Sequence, residues 1–105
     1  MVNLMQAQLN KASNAVRDMA RRIGTNYVLW EQPKELMRKH QIDRIDLADY
    51  LVRCDVKETW TVLGVKRYRV EADEADERIR SVILSVHQEV VTIEVVSLTL
   101  AEVKP

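Results

Sequence analysis

His40 and His87 are the side chains of this chain best suited to moving protons near neutral pH, because imidazole titrates there. Three arginines are spaced to act with them on an anion. Arg67 and Arg69 alternate with Tyr68 and Val70, so in an extended segment both guanidinium groups leave from one face, with Arg80 on the segment that follows. Lys66 and Tyr68 fall on the opposite face. Arg, Lys and Tyr on a small sheet can grip a phosphate, while a base, an acid and a fixed cation are what turnover of an anionic substrate needs. Each residue also has a plainer reading. Arginines alternating with apolar residues commonly form a solvated strand face, and a histidine between two strands is commonly a turn residue.

Other chemistries lack their residues. One cysteine, Cys54, and two well-separated histidines do not give the ligand spacing of a closed zinc site, so no metal and no cofactor is expected. Gly24 and Gly64 are the two glycines, too few for a phosphate-binding loop, and no nucleophile elbow or dinucleotide fingerprint occurs. Asp73, Glu74, Asp76 and Glu77 lack the spacing and the turn glycine of an EF-hand and read as a solvated acidic turn. Cys54, in phase with the apolar face of a third helix, reads as inert core rather than nucleophile.

The totals set the frame for these residues. A chain of 105 residues suits one domain (1–105) with one modest core. Sixteen basic residues balance sixteen acidic ones, so no overall field draws in nucleic acid or anionic membrane, although local patches can. The single cysteine fits a reducing compartment, and neither a secretory signal nor a membrane span is visible; a cytoplasmic protein with no membrane partner is the expectation.

Asn3 to Ile23 carries Met5, Leu9, Ala12, Val16, Met19 and Ile23 at alternating four- and three-residue steps, the seam of an amphipathic helix with Asn3 as N-cap and Gly24-Thr25-Asn26 as its stop. Residues 1–26 thus form an N-terminal helix and stop ahead of a core at 27–100. Tyr27–Trp30 reads as a short extended run. Lys34–His40 reads as a helix introduced by Pro33, and a third helix capped by Asp43 or Asp46 presents Leu47, Tyr50, Leu51 and Cys54 inward. Strands are expected at Thr59–Val62, Val65–Ala72, Ile79–Val86 and Val90–Leu100, the first pair joined by a hairpin at Gly64. In the last strand Val91, Ile93 and Val95 face one way and Val96, Leu98 and Leu100 the other, which signals a bulge or a second contact. The fold class is α+β: N-terminal helix, short strand, two helices, then a three- to four-stranded antiparallel sheet.

That order, with Leu29-Trp30 before Gln32-Pro33, Leu36-Met37, His40 and Ile42, then Gly64, Tyr68-Arg69-Val70 and the strands Val82–Val86 and Val91–Val95, resembles a small bacterial domain related to the RelE/ParE and BrnT toxin families. The likeness runs from Tyr27 to Leu98. The group's motif histidine is Gln32 here, and two of its helix arginines are Leu36 and His40, as in a sequence that keeps the fold and loses part of a site. The resemblance implies a RelE-like sheet and a toxin-like, RNA-interacting protein, a metal-independent endoribonuclease in its fullest form, with RNA or a cognate antitoxin as partner. Its catalytic residues would come from His40, Arg67, Arg69, Arg80 and His87, with Lys66 and Tyr68 on the RNA. The alternative is a non-catalytic protein–protein interaction module, a homodimer among its forms. Met5, Leu9, Val16 and Met19 of the first helix, with Val96 and Leu98 of the last strand, would be its contacts.

Overall fold

The computed structural model describes residues 3–72 and 78–101. The acidic turn Asp73–Glu77 lies outside them. The described residues form α1 (Leu4–Ile23), β1 (Val28–Leu29), α2 (Glu31–Lys39), α3 (Arg44–Leu51), β2 (Cys54–Val62), β3 (Val65–Ala72), β4 (Ile79–His87) and β5 (Thr92–Leu100).

Local chemistry sets most of these limits. The Asn3 side chain accepts from the Gln6 N–H at 2.7 Å, satisfying one of the orphan donors of α1, and Gly24 closes the helix at φ 58°. Asp43 and Asp46 reciprocally bond each other's backbone N–H in a capping box that starts α3. α2 begins at Glu31, two residues before Pro33, so the proline still falls in the first turn, where its missing N–H is harmless. β2 and β3 join through Leu63 and Gly64, both at positive φ, with Val62 paired to Val65: the two-residue turn whose twist suits a hairpin.

The sheet has five strands in the order β1-β5-β4-β3-β2, antiparallel except for the β1–β5 pair, so the short run at Val28–Leu29 joins the sheet as an edge strand and makes it mixed. An α+β architecture is therefore shown, with more strands than the sequence suggested. Val56, Val70, Val82 and Leu98 line up across four strands, as do Leu84 with Val95 and Val86 with Ile93. These side chains form one core with Val16, Met19, Ala20 and Ile23 of α1, Met37 of α2, and Leu47, Tyr50 and Leu51 of α3. All three helices thus cover one face of the sheet, and among the described residues no element covers the other, the open face.

Three expectations are corrected. Cys54 opens β2 rather than closing α3; the helix ends at Leu51 and Cys54 is buried from the strand. Helix period and core burial coincide at that position, so the pattern did not distinguish them. Second, Leu98 does not oppose Val95. A register shift between Ile83 and Leu84 gives β5 an extra residue at Val96, and Ile93, Val95 and Leu98 all reach the core. A similar shift between Ile79 and Ser81 lets Ile79 join it. Third, Val16, Met19 and Leu98 are consumed by this core and offer no surface to a partner, whereas Met5 is 70 % exposed and Leu9 and Val96 are half-buried.

Tyr50 ties the layers together. Fully buried on α3, its hydroxyl accepts from the Ala72 N–H at 3.1 Å and donates to Arg80 O at 3.2 Å, joining β3 to β4. No described helix is long and apolar enough to cross a membrane.

Candidate functional site

The open face carries a polar row running across the sheet. Trp60 on β2 pairs with Arg67 on β3, Arg67 lies across from Ser85 on β4, Ser85 pairs with Glu94 on β5, and Glu94 pairs with Val28 beside Trp30. Paired residues share a face of the pleat, so strand register assembles the row from four of the five strands.

Glu94 is its centre. Trp30 donates its indole N–H to Oε2 at 2.7 Å. Oε1 lies 3.1 Å from His87 Nε2 and 3.6 Å from Arg67 Nη1. The Arg67 guanidinium sits 5.2 Å from the Trp30 ring centroid and donates to Ser85 Oγ at 2.5 Å, and the Ser85 hydroxyl donates in turn to Lys66 O at 2.8 Å. Arg67 has an 11 % exposed side chain, low for an arginine on an uncovered face. Its partners explain that: an aromatic ring on one side and a carboxylate and a hydroxyl on the other replace much of its water.

The Trp30 hydrogen bond does most to hold the Glu94 carboxyl below its ordinary range, and His87 and Arg67 add to it against partial burial. An ionised carboxylate only accepts hydrogen bonds, so the His87 nitrogen facing it must carry a proton. In the neutral form of the ring Nδ1 is then the nitrogen without a proton, so the cluster holds a carboxylate-oriented imidazole close to a fixed cation.

The remaining sequence-level candidates lie elsewhere. Arg69 shares the face but is bound by Glu58 at 3.0 Å and by Glu71, its cross-strand and same-strand acidic neighbours. Arg80 is exposed at the β4 register shift, and its carbonyl serves Tyr50. His40 caps α2 through its backbone N–H, 3.1 Å from Leu36 O, on the helix-bearing side. Lys66 and Tyr68 do stand on the face opposite Arg67, with the Lys66 ammonium 5.9 Å from the Tyr68 ring centroid; burial raises the Tyr68 pKa. A ligand on the Arg67 face cannot use them at the same time.

Of the five catalytic candidates, Arg67 and His87 come together, and they do so through a residue that sequence reasoning missed. Glu94 is the one charged residue within the run Val90–Leu100, and Ser85 stands alone between Leu84 and Val86. A solitary polar residue in a β-branched run was the available signal. Among the described residues no group of acidic, histidine or cysteine side chains is arranged to hold a metal ion. Comparison of the chain with protein-family models, with curated proteins and with solved structures gives no match.

Proposed function

We propose that this protein binds single-stranded RNA on the helix-free face and that His87, oriented by Glu94 beside Arg67, acts on the bound phosphodiester. The observation that carries this reading is the convergence of an imidazole, a carboxylate and a largely buried guanidinium between two tryptophans. Trp30, 41 % exposed, and Trp60 are flat surfaces on which unpaired bases can stack, and the guanidinium supplies a phosphate contact. His87 Nδ1 would take the proton of a 2′-hydroxyl as its oxygen attacks the adjacent phosphorus, with Arg67 over the charge that builds on the non-bridging oxygens. The 5′-oxygen leaves and takes its proton from water, because the cluster holds one proton-transfer group. One positioned base is worth about 10²–10⁴ in rate, so cleavage is expected to be slow. The toxin-like expectation is carried forward on these residues alone.

The test uses one single-stranded RNA and its 2′-deoxy counterpart. Both should bind, with RNA alone giving a 2′,3′-cyclic phosphate end; His87→Gln should abolish cleavage and retain binding, and Trp30→Ala should weaken binding. Binding weaker than about 1 mM for both nucleic acids would overturn the reading.

The second reading, a non-catalytic interaction module, is favoured by the acidic partners of Arg67 and Arg69, which neutralise the face locally. It is the reading left if nucleic acid does not bind.

A further inference from the structure

On the helix-bearing side of the sheet, a groove of about 820 Å³ opens between the first half of α1 and the β2–β3 hairpin. Its floor follows from residue spacing. Leu9 and Ala12 continue the four-and-three seam of α1 outward from Val16, and Tyr68 stands two residues from Val70 on the same face of β3. All three pack against the margin of the core. Farther along the seam, Met5 also lines the groove and yet is 70 % exposed.

Lys66 closes the end of this floor. Two residues from Tyr68, it leaves β3 on the same face, roughly 7 Å along the strand. Its ammonium lies 5.9 Å from the Tyr68 ring centroid. Lys11 and Lys57 stand at the rim, and among the described residues none of the three lysines is in an ion pair. Glu58 reaches the rim too, but its carboxylate accepts from Arg69 Nε at 3.0 Å, and Arg69 belongs to the opposite face. The acidic charge of the groove is therefore neutralised and the basic charge is not.

We infer that this groove binds a small amphipathic anion, an apolar chain ending in a single carboxylate. The chain lies on Leu9, Ala12 and Tyr68 and covers Met5, and the head group meets Lys66. Apolar floor and cation share one face of β3, so one short flexible molecule reaches both. Clefts that hold small ligands commonly measure about 300–1,000 Å³ and carry a mostly apolar lining with a few polar groups, a description this groove meets. Burial of the chain supplies affinity, and the unpaired lysine selects the sign of the head group. The inference does not rest on the RNA reading, which concerns the other face.

The test compares decanoate with decyltrimethylammonium, both kept below the concentration at which they form micelles. Affinity is measured by calorimetry, and the place of binding by the methyl NMR signals of Met5 and Ala12. Decanoate should bind, move both signals, and bind at least about tenfold more tightly than the cation. Lys66→Glu should remove that preference, and Met5→Glu should weaken decanoate by about tenfold. Lys34→Glu, the same charge change on α2, should leave binding as it was. All three substitutions are on exposed side chains, and a thermal melt checks that each variant is folded. Equal affinity for the two amphiphiles, a preference that survives Lys66→Glu, or no binding at about 1 mM would each overturn the inference. So would a ligand-free dimer that Met5→Glu breaks, because a second copy would then occupy the groove.

Discussion

Gln32 uses both ends of its side-chain amide on the backbone of Leu98: its Nε2 donates to Leu98 O at 3.0 Å, and its Oε1 accepts from the Leu98 N–H at 2.9 Å. The side chain imitates a neighbouring strand. β1 ends at Leu29, and beyond it Gln32, from the first turn of α2, continues the pairing along β5. Gln32 stands where the group that the sequence resembles has its motif histidine, and here the residue has a structural task. Gln32→Ala should lower stability by about 1–3 kcal/mol, because it strands a largely buried N–H. Gln32→His, able to keep at most one of the two bonds, should fall between. Urea unfolding of the three proteins checks the order.

Glu94 should make stability fall with acid in a particular window. Its folded pKa is depressed, first by the Trp30 indole and then by His87 and Arg67, so its contribution is complete above the ordinary carboxylate pKa of about 4.3. The contribution disappears as pH falls through the lowered folded value. Glu94→Gln should flatten that part of the profile, measured as unfolding midpoint against pH.

Tyr50→Phe removes a hydroxyl that both accepts from Ala72 and donates to Arg80, at a site with no exposed surface. The expected cost is about 1–3 kcal/mol in chemical denaturation, because the Ala72 N–H loses its partner. The exposed alternative, Arg38→Ala beside Glu35, should change the midpoint little.

Leu63 is 99 % exposed and holds φ 49°, a conformation in which a leucine Cβ is crowded. Leu63→Asn provides the Asn-Gly pair that this turn favours and should raise stability by about 0.5–1 kcal/mol. A thermal melt should show a rise of several degrees for a domain of this size.

Cys54 should be inert in the native state. Burial pushes its thiol up to about 12, outweighing the nearby Arg17, so almost no thiolate exists at neutral pH. Reaction with a disulfide reagent should follow global unfolding, and its rate should rise with urea in step with the loss of structure.

Short-range rules were legible in the sequence because their causes lie within a few residues. The four-and-three spacing of Met5 to Ile23, the Asn3 and Asp43 caps and the turn at Gly64 each follow from one turn of helix or one hairpin. The Val95–Val96 irregularity was visible for the same reason, but its consequence was not. Whether a bulge sends Leu98 outward or back to the core depends on the strand beside it, and β4 returns it to the core.

The candidate site was less visible because it depends on contacts that cross the chain. The amino-acid order by itself determined an α+β chain with arginines on one face of a strand and a histidine at the end of the next. Tertiary structure decided which of them meet. Trp30 and Glu94 are 64 positions apart, and they touch because β1 lies parallel to β5 in register. The same sheet gives Arg69 to Glu58 and Glu71 and leaves His40 on the helical side, so register, not residue type, selects Arg67 and His87.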